Sequence, residues 1–261
     1  IGVVTANTGV GKSHYLVAMG AEALRRGKNV IHYTFELSET ITGIRYDSNL
    51  CDVPSSDVIN KKDEILQKYD SSDYGRLIIK QYPTGAASVV TLRNHIEKLS
   101  MKDFMPSLIV IDYADIMKST RSYDSMRHEL KLVYEELRNL AMELNIPVWT
   151  ASQANRDSAK SDIVGLENMS EAYGKAMVAD VVVSLSRKPM EKATGAGRLF
   201  VAKNRAGRDG LVFPVRIDTA KSKISVIDDA RELSVVDLVE SHNTGTKDML
   251  KSKWKEITGT K

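Results

Sequence analysis

Short apolar, β-branched runs alternate along this chain with longer stretches whose apolar positions recur at helical spacing. Residues 1–5 read as a buried strand and residues 13–25 as a helix. Residues 29–35 predict a second strand, after which Ser38 is placed to cap a helix running toward Leu50. Pro54, Ser55 and Ser56 interrupt, and Ser56 is expected to cap a polar helix through Tyr69. Residues 76–82 predict a strand, Pro83-Thr84-Gly85 a turn, and residues 89–99 a helix followed by a loop around Pro106. A fully apolar strand at 108–111, a long amphipathic helix at 125–144 and a buried strand at 146–151 follow. Further strands are expected at 180–186, 199–203 and 211–217, the last ones antiparallel. This alternation predicts an α/β fold with a mainly parallel twisted sheet flanked by helices.

The pattern ends near Asp228, giving one patterned domain at 1–227 and a polar, basic tail at 228–261. Within the tail, residues 247–257 have the composition of a basic helix carrying Trp254. The chain begins at Ile1, already inside the first strand, so N-terminal material is expected to be missing from it. There is no internal repeat and no low-complexity block. A length of 261 residues suits one large domain with a tail and a sizeable core. The net charge of +3 permits nucleic-acid binding without arguing for it, because a clustered patch would be the signal. Cys51 is the only cysteine, which excludes an internal disulfide and a thiolate-rich zinc site and fits the reduced cytoplasm. No apolar run is long enough to span a membrane and no signal peptide is visible. The five histidines lack metal-ligand spacing; His14 reads as structural and Trp149 as core packing.

The chemistry is concentrated in Ala6-Asn7-Thr8-Gly9-Val10-Gly11-Lys12-Ser13, a loop between the first strand and the first helix. Such a loop turns its backbone N–H groups and the helix N-terminus toward phosphates. Gly9 and Gly11 allow the tight path, Lys12 reaches the β- and γ-phosphates, and the Ser13 hydroxyl is offered to Mg²⁺. Ala6 stands where the usual pattern has its first glycine, and it is still small.

Four other strand ends carry candidates. Asp112 closes the apolar run 107–111, where a carboxylate faces the phosphate site and helps hold Mg²⁺; nearby Asp115 reads as solvated. Glu36 directly follows the second strand and suits a base that deprotonates the attacking water, whereas Glu39 suits the helix dipole and reads as structural. Gln153 ends its strand and, taken alone, is an ordinary polar strand end. Lys203 and Arg205 project similarly from extended backbone, either toward an anionic phosphate or into solvent as a basic hairpin. If one subunit's pair entered a neighbour's site, hydrolysis would need an oligomer.

Two loops are candidates for sequence-independent contact with nucleic acid, or are simply exposed. One holds Lys118, Arg121 and Arg127; the other holds Arg156 and Lys160.

These elements, in this order, resemble the RecA-like P-loop NTPase core of DnaB-type replicative helicases. The matching segments are residues 6–13, Phe35-Glu36-Leu37, residues 108–113, Ser152-Gln153-Ala154-Asn155-Arg156 and Lys203-Asn204-Arg205-Ala206-Gly207. Residues 75–85 and 135–141 are similar to the replicative helicases of T4-type bacteriophages. The resemblance implies ATP and Mg²⁺ at Lys12 and Ser13, Glu36 as catalytic glutamate and Asp112 as the acidic metal residue. It implies Gln153 as γ-phosphate sensor and Lys203 with Arg205 as the pair inserted into the adjacent subunit's site. Arg45 is the candidate for stacking on the base. The family works as a ring, usually a hexamer, moving 5′ to 3′ on single-stranded DNA, so a homo-oligomer, a primase and a helicase loader are the expected partners. The family's N-terminal collar domain is expected to be missing from this chain. A RecA-type recombinase and a nucleotide-gated assembly ATPase are the alternatives.

Overall fold

The computed structural model describes residues 1–123, 125–155, 165–166, 172–188 and 190–227. In chain order the strands are β1 (Gly2–Ala6), β2 (Val30–Thr34), β3 (Leu77–Gln81), β4 (Leu108–Asp112), β5 (Val148–Gln153), β6 (Val181–Ser186), β7 (Ala196–Asn204), β8 (Leu211–Asp218) and β9 (Lys223–Val226). The helices are α1 (Lys12–Arg25), α2 (Glu39–Cys51), α3 (Lys62–Asp70), α4 (Val89–Ser100), α5 (Met126–Leu144), α6 (Ala172–Val178) and α7 (Glu191–Thr194).

All five residues of β1, of β2 and of β4 are buried, which is why they read as near-continuous apolar runs rather than alternating ones. Alternate side chains still part to opposite faces. Val3, Ile31 and Ile109 pack with Leu92 and Ile96 of α4 and Val133, Leu137 and Leu140 of α5. Val4, Val30 and Val110 pack with Leu16 and Leu24 of α1, Tyr46 and Leu50 of α2, and Ile65 of α3. Helices therefore cover both faces of the central sheet.

The nine strands run in the order β3-β2-β4-β5-β1-β6-β7-β8-β9. Pairings from β3 across to β6 are parallel, and those of β6 with β7, β7 with β8 and β8 with β9 are antiparallel. The chain leaves β1 for β2, across the positions of β5 and β4, and later returns to place β6 on the other flank of β1. Strand order reverses at β1, and ligands bind outside the carboxyl ends of strands at such a point.

Several boundaries differ from expectation. Ser56 does not cap a helix: its hydroxyl bonds the Asp57 carboxylate, and α3 begins only at Lys62. Strand β7 is longer than residues 199–203 because it extends through Gly197, which sits where a Cβ would lie 2.8 Å from the Ile217 side chain. The short elements α6, α7 and β9 give no readable periodicity. The tail 228–261 lies outside the described residues, among which no helix is long and apolar enough to cross a membrane.

Candidate nucleotide site

The loop from Asn7 to Gly11 joins the carboxyl end of β1 to the first turn of α1. Gly9 (φ 75°) and Gly11 (φ 129°) hold backbone conformations that side chains resist, and the Val10 amide donates to the Asn7 carbonyl at 3.3 Å. Thr8 and Gly9 are exposed at its crest. Lys12 Nζ folds back to donate to the Ala6 carbonyl at 3.1 Å. Burial lowers its pKa, against the pull of the Glu36, Asp112 and Asp115 carboxylates.

Asp112 is almost fully buried at the end of β4. Burial pushes its carboxyl up to about 6, although the nearby Ser13 hydroxyl, Arg45 and Lys12 all favour its charge. The Phe35 amide donates to the Asp112 carbonyl at 2.8 Å, locking the end of β2 to β4. Just beyond, the Thr34 hydroxyl donates to the Leu37 carbonyl and accepts from its amide, stapling the bend that leaves Glu36 exposed. Glu39 instead accepts from the Gln81 amide at 2.9 Å and faces Lys80, joining α2 to β3. Gln153 is exposed at the end of β5, directly opposite Ala6. The following amide, of Ala154, donates to the Ala6 carbonyl at 3.2 Å.

Arg45 is half-buried on α2, within reach of the field of the acidic residues. Its Nη1 is buried without a hydrogen-bond partner, and both Asp112 and Glu36 favour its charge while burial opposes it. Burial, helped by the Arg45 charge, lowers His14 to about 4 and His32 to about 3. Both rings are therefore neutral at physiological pH; His14 shares a 2.9 Å hydrogen bond with Ser222, and His32 one of 3.0 Å with Tyr46.

Lys203 and Arg205 do project together, but far from this cluster. Lys203 pairs with Val182, and Val182 with Val3, so the basic pair lies at the amino-terminal edge of β1. The P-loop leaves the opposite edge, roughly 13 Å away at a strand's rise per residue. Lys203 Nζ donates to the carbonyls of Ala176 at 2.6 Å and Ala179 at 2.7 Å. Arg205 donates to the Met177 carbonyl at 2.6 Å and to Asp180 at 3.2 Å. The pair thus caps the C-terminus of α6, where cations suit the helix dipole.

Lys118, Arg121 and Arg127 are exposed around the segment leading into α5, while Arg156 and Lys160 lie outside the described residues. Asp115 is not solvated as expected. Its side chain is 12 % exposed and is held by the ammonium of Lys175 at 2.8 Å and the hydroxyl of Tyr134 at 2.7 Å. Sequence reasoning missed Lys175 altogether, since a lone lysine in a short segment reads as solvated. Among the described residues, no group of three or more His, Cys, Asp or Glu side chains is arranged to hold a metal ion. A cation here needs the Ser13 hydroxyl, one carboxylate and phosphate oxygens, which is the donor set that Mg²⁺ accepts.

Residues 1–225 match the DnaB-like helicase C-terminal domain family. The chain is 33% identical over 196 residues to the DnaB-like replicative helicase of Enterobacteria phage T4, covering 71% of this chain and 41% of that protein. It is 22% identical over 193 residues to the replicative DNA helicase DnaB of Helicobacter pylori strain 26695, covering 71% of this chain and 39% of that protein. It thus spans less than half the length of these curated relatives. Two solved structures share the fold at 15% identity. One, an ATPase domain, superposes with a TM-score of 0.74, covering 87% of this chain and 84% of that one. The other, a DnaB-like replicative helicase described with its interactions with primase, superposes at 0.73, covering 86% and 56%. With its RecA-like sheet, its P-loop and a family match running through nearly all of the described residues, this chain belongs to the DnaB-like helicase C-terminal domain family.

Proposed function

We propose that this chain is the ATP-hydrolysing motor of a replicative DNA helicase that works as a homo-hexameric ring in the cytoplasm of a bacterial host. The ring moves 5′ to 3′ on single-stranded DNA and unwinds duplex at the fork, with primase and a loader as partners. The observation that carries this reading is the separation of two sets of residues. Lys12, Ser13, Glu36, Asp112 and Gln153 gather at the carboxyl edge of the sheet, whereas Lys203 and Arg205 stand at the other edge. The pair cannot reach its own P-loop, so a phosphate it serves belongs to a neighbouring subunit.

The residues suit ATP with Mg²⁺: positive-φ glycines, a lysine curled over the loop, and a buried guanidinium nitrogen that lacks a partner. Mg²⁺ held here would supply charge neutralisation to the phosphates. Lys12 leaves the Ala6 carbonyl for the phosphates. Ser13 and Asp112 would hold the cation. Glu36, exposed on its stapled bend, accepts the proton of the attacking water. Arg45 acts on the phosphate end rather than stacking on the base, because its charge is felt at Asp112 and Glu36. Gln153 contacts the γ-phosphate and passes its loss to the loop that follows β5. Lys118, Arg121 and Arg127, with Arg156 and Lys160, serve as backbone contacts to the DNA strand.

The test is ATP turnover per subunit against protein concentration, with and without single-stranded DNA, in the full-length protein, with Lys12→Ala as control. Turnover that rises steeply with concentration and again with DNA supports the ring motor. Flat, DNA-indifferent turnover by the full-length protein contradicts it.

A further inference from the structure

Helix α6 carries a residue that the phosphate chemistry does not use. Lys175 is 1% exposed, and a lysine so deeply buried needs an anion beside it. Its Nζ lies 2.8 Å from Asp115 Oδ2 and donates to the Ser152 hydroxyl at 3.2 Å. Ser152 in turn donates to Asp115 Oδ2 at 3.1 Å, and the Tyr134 hydroxyl of α5 donates to Oδ1 at 2.7 Å. The Tyr134 ring centroid is also 5.7 Å from the ammonium.

The positions of these partners matter more than their number. Asp115 stands on the 3-10 turn Ala114–Ile116, immediately after β4 and Asp112. Ser152 directly precedes Gln153 in β5. One ammonium on α6 is therefore bonded to β5 beside the sensor and to the turn that follows β4 and its acidic residue. The residues that follow Lys175 turn the carbonyls of Ala176 and Met177, and of Ala179 just past the helix, to Lys203 and Arg205. One residue before Lys175, α6 presses on α5: a Cβ on Gly174 would sit 3.3 Å from the Lys131 side chain.

We propose that Lys175, paired with Asp115, is a positioning residue that makes α6 a rigid coupler between a subunit's own nucleotide site and the Lys203–Arg205 pair it presents to the next subunit. This rests on the ring-motor reading above. A buried ion pair is either made with good geometry or broken at a steep cost, so it passes on a displacement where apolar contacts would slide. Stability alone does not call for it, because well-packed apolar or neutral groups of similar volume hold a fold as well as a buried ion pair does.

The test uses the full-length protein and the double variant Lys175→Met/Asp115→Asn, which removes both charges together while the new amide oxygen can still accept from Tyr134. Melting, binding of a fluorescent ATP analogue and ATP turnover with and without oligo(dT) are measured. The double variant is expected to keep its melting temperature, and its nucleotide affinity and KM to within about twofold, while single-stranded DNA stimulation of kcat falls by roughly tenfold, within the range of ordinary coupling between sites. Wild-type stimulation in a folded double variant overturns the proposal. So does a parallel loss of melting temperature, affinity and turnover at an unchanged stimulation ratio, or failure of the double variant to fold, since each assigns the pair to stability alone. If the wild-type protein itself shows no stimulation, the ring-motor reading fails first and takes this inference with it.

Discussion

The Ser13 hydroxyl faces the Asp112 carboxylate where α1 meets the end of β4, and favours its charged form. They are the two hard oxygen donors proposed to hold Mg²⁺, and burial raises Asp112 from 3.8 to about 6. A raised carboxyl pKa stabilises the fold fully below the unfolded value, and this contribution is lost as pH rises through the folded one. At pH 8 the nucleotide-free protein therefore bears the ionised group at a cost. Asp112→Asn is expected to stabilise it there by on the order of 3 kcal/mol, and by almost nothing near pH 3.8. Urea unfolding at the two pH values checks this. Mg²⁺-dependent nucleotide binding by the wild type should weaken as pH falls below about 6, because a proton then occupies the carboxylate.

Glu36 is exposed on a bend held by Thr34, so removing its charge should leave the fold intact. Glu36→Gln is expected to bind ATP as the wild type does and to lose roughly 10²–10⁴-fold in kcat, the usual worth of a general base. Unwinding that survives this substitution with normal ATP binding would count against Glu36 as the base.

Arg45 tests which end of the nucleotide its side chain serves. Arg45→Gln should weaken ATP binding by roughly tenfold or more, the worth of one charge-assisted hydrogen bond, and ADP binding much less. Because Arg45 also depresses the two nearby imidazoles, the His14 pKa should rise from about 4 when followed by NMR. Equal weakening of ATP and ADP, or a change in base preference, would return Arg45 to the base.

Lys118, Arg121 and Arg127 are exposed before and at the start of α5. If all three contact phosphates of single-stranded DNA, replacing them together with alanine should flatten the slope of log K against log[salt] by about 2, or roughly 0.7 for each contact. An unchanged slope would remove them from the DNA interface.

The parallel core was legible because β1, β2 and β4 are buried on both faces and so read as unbroken apolar runs. The tight loop between β1 and α1 was legible because its glycines hold positive φ beside a lysine. What escaped was decided by distant contacts. Helix α6 is seven residues long, too short to show a periodicity, and its identity lies in what Lys175 meets from β5, α5 and the turn after β4. Asp115 read as solvated for the same reason: its buried partner comes from 60 positions further along the chain. Lys203 and Arg205 were legible as a pair with a shared direction, but their placement at the sheet edge opposite the P-loop follows only from the register of β6 between β1 and β7.

That placement makes subunit mixing the most direct measurement. Arg205→Ala and Lys12→Ala proteins are each expected to hydrolyse ATP at background rates. Mixed in equal amounts and allowed to reassemble on single-stranded DNA, they should recover a substantial fraction of wild-type turnover, because some interfaces then join an intact P-loop to an intact Arg205. Turnover of the mixture no greater than the sum of the two alone would contradict a site shared between subunits.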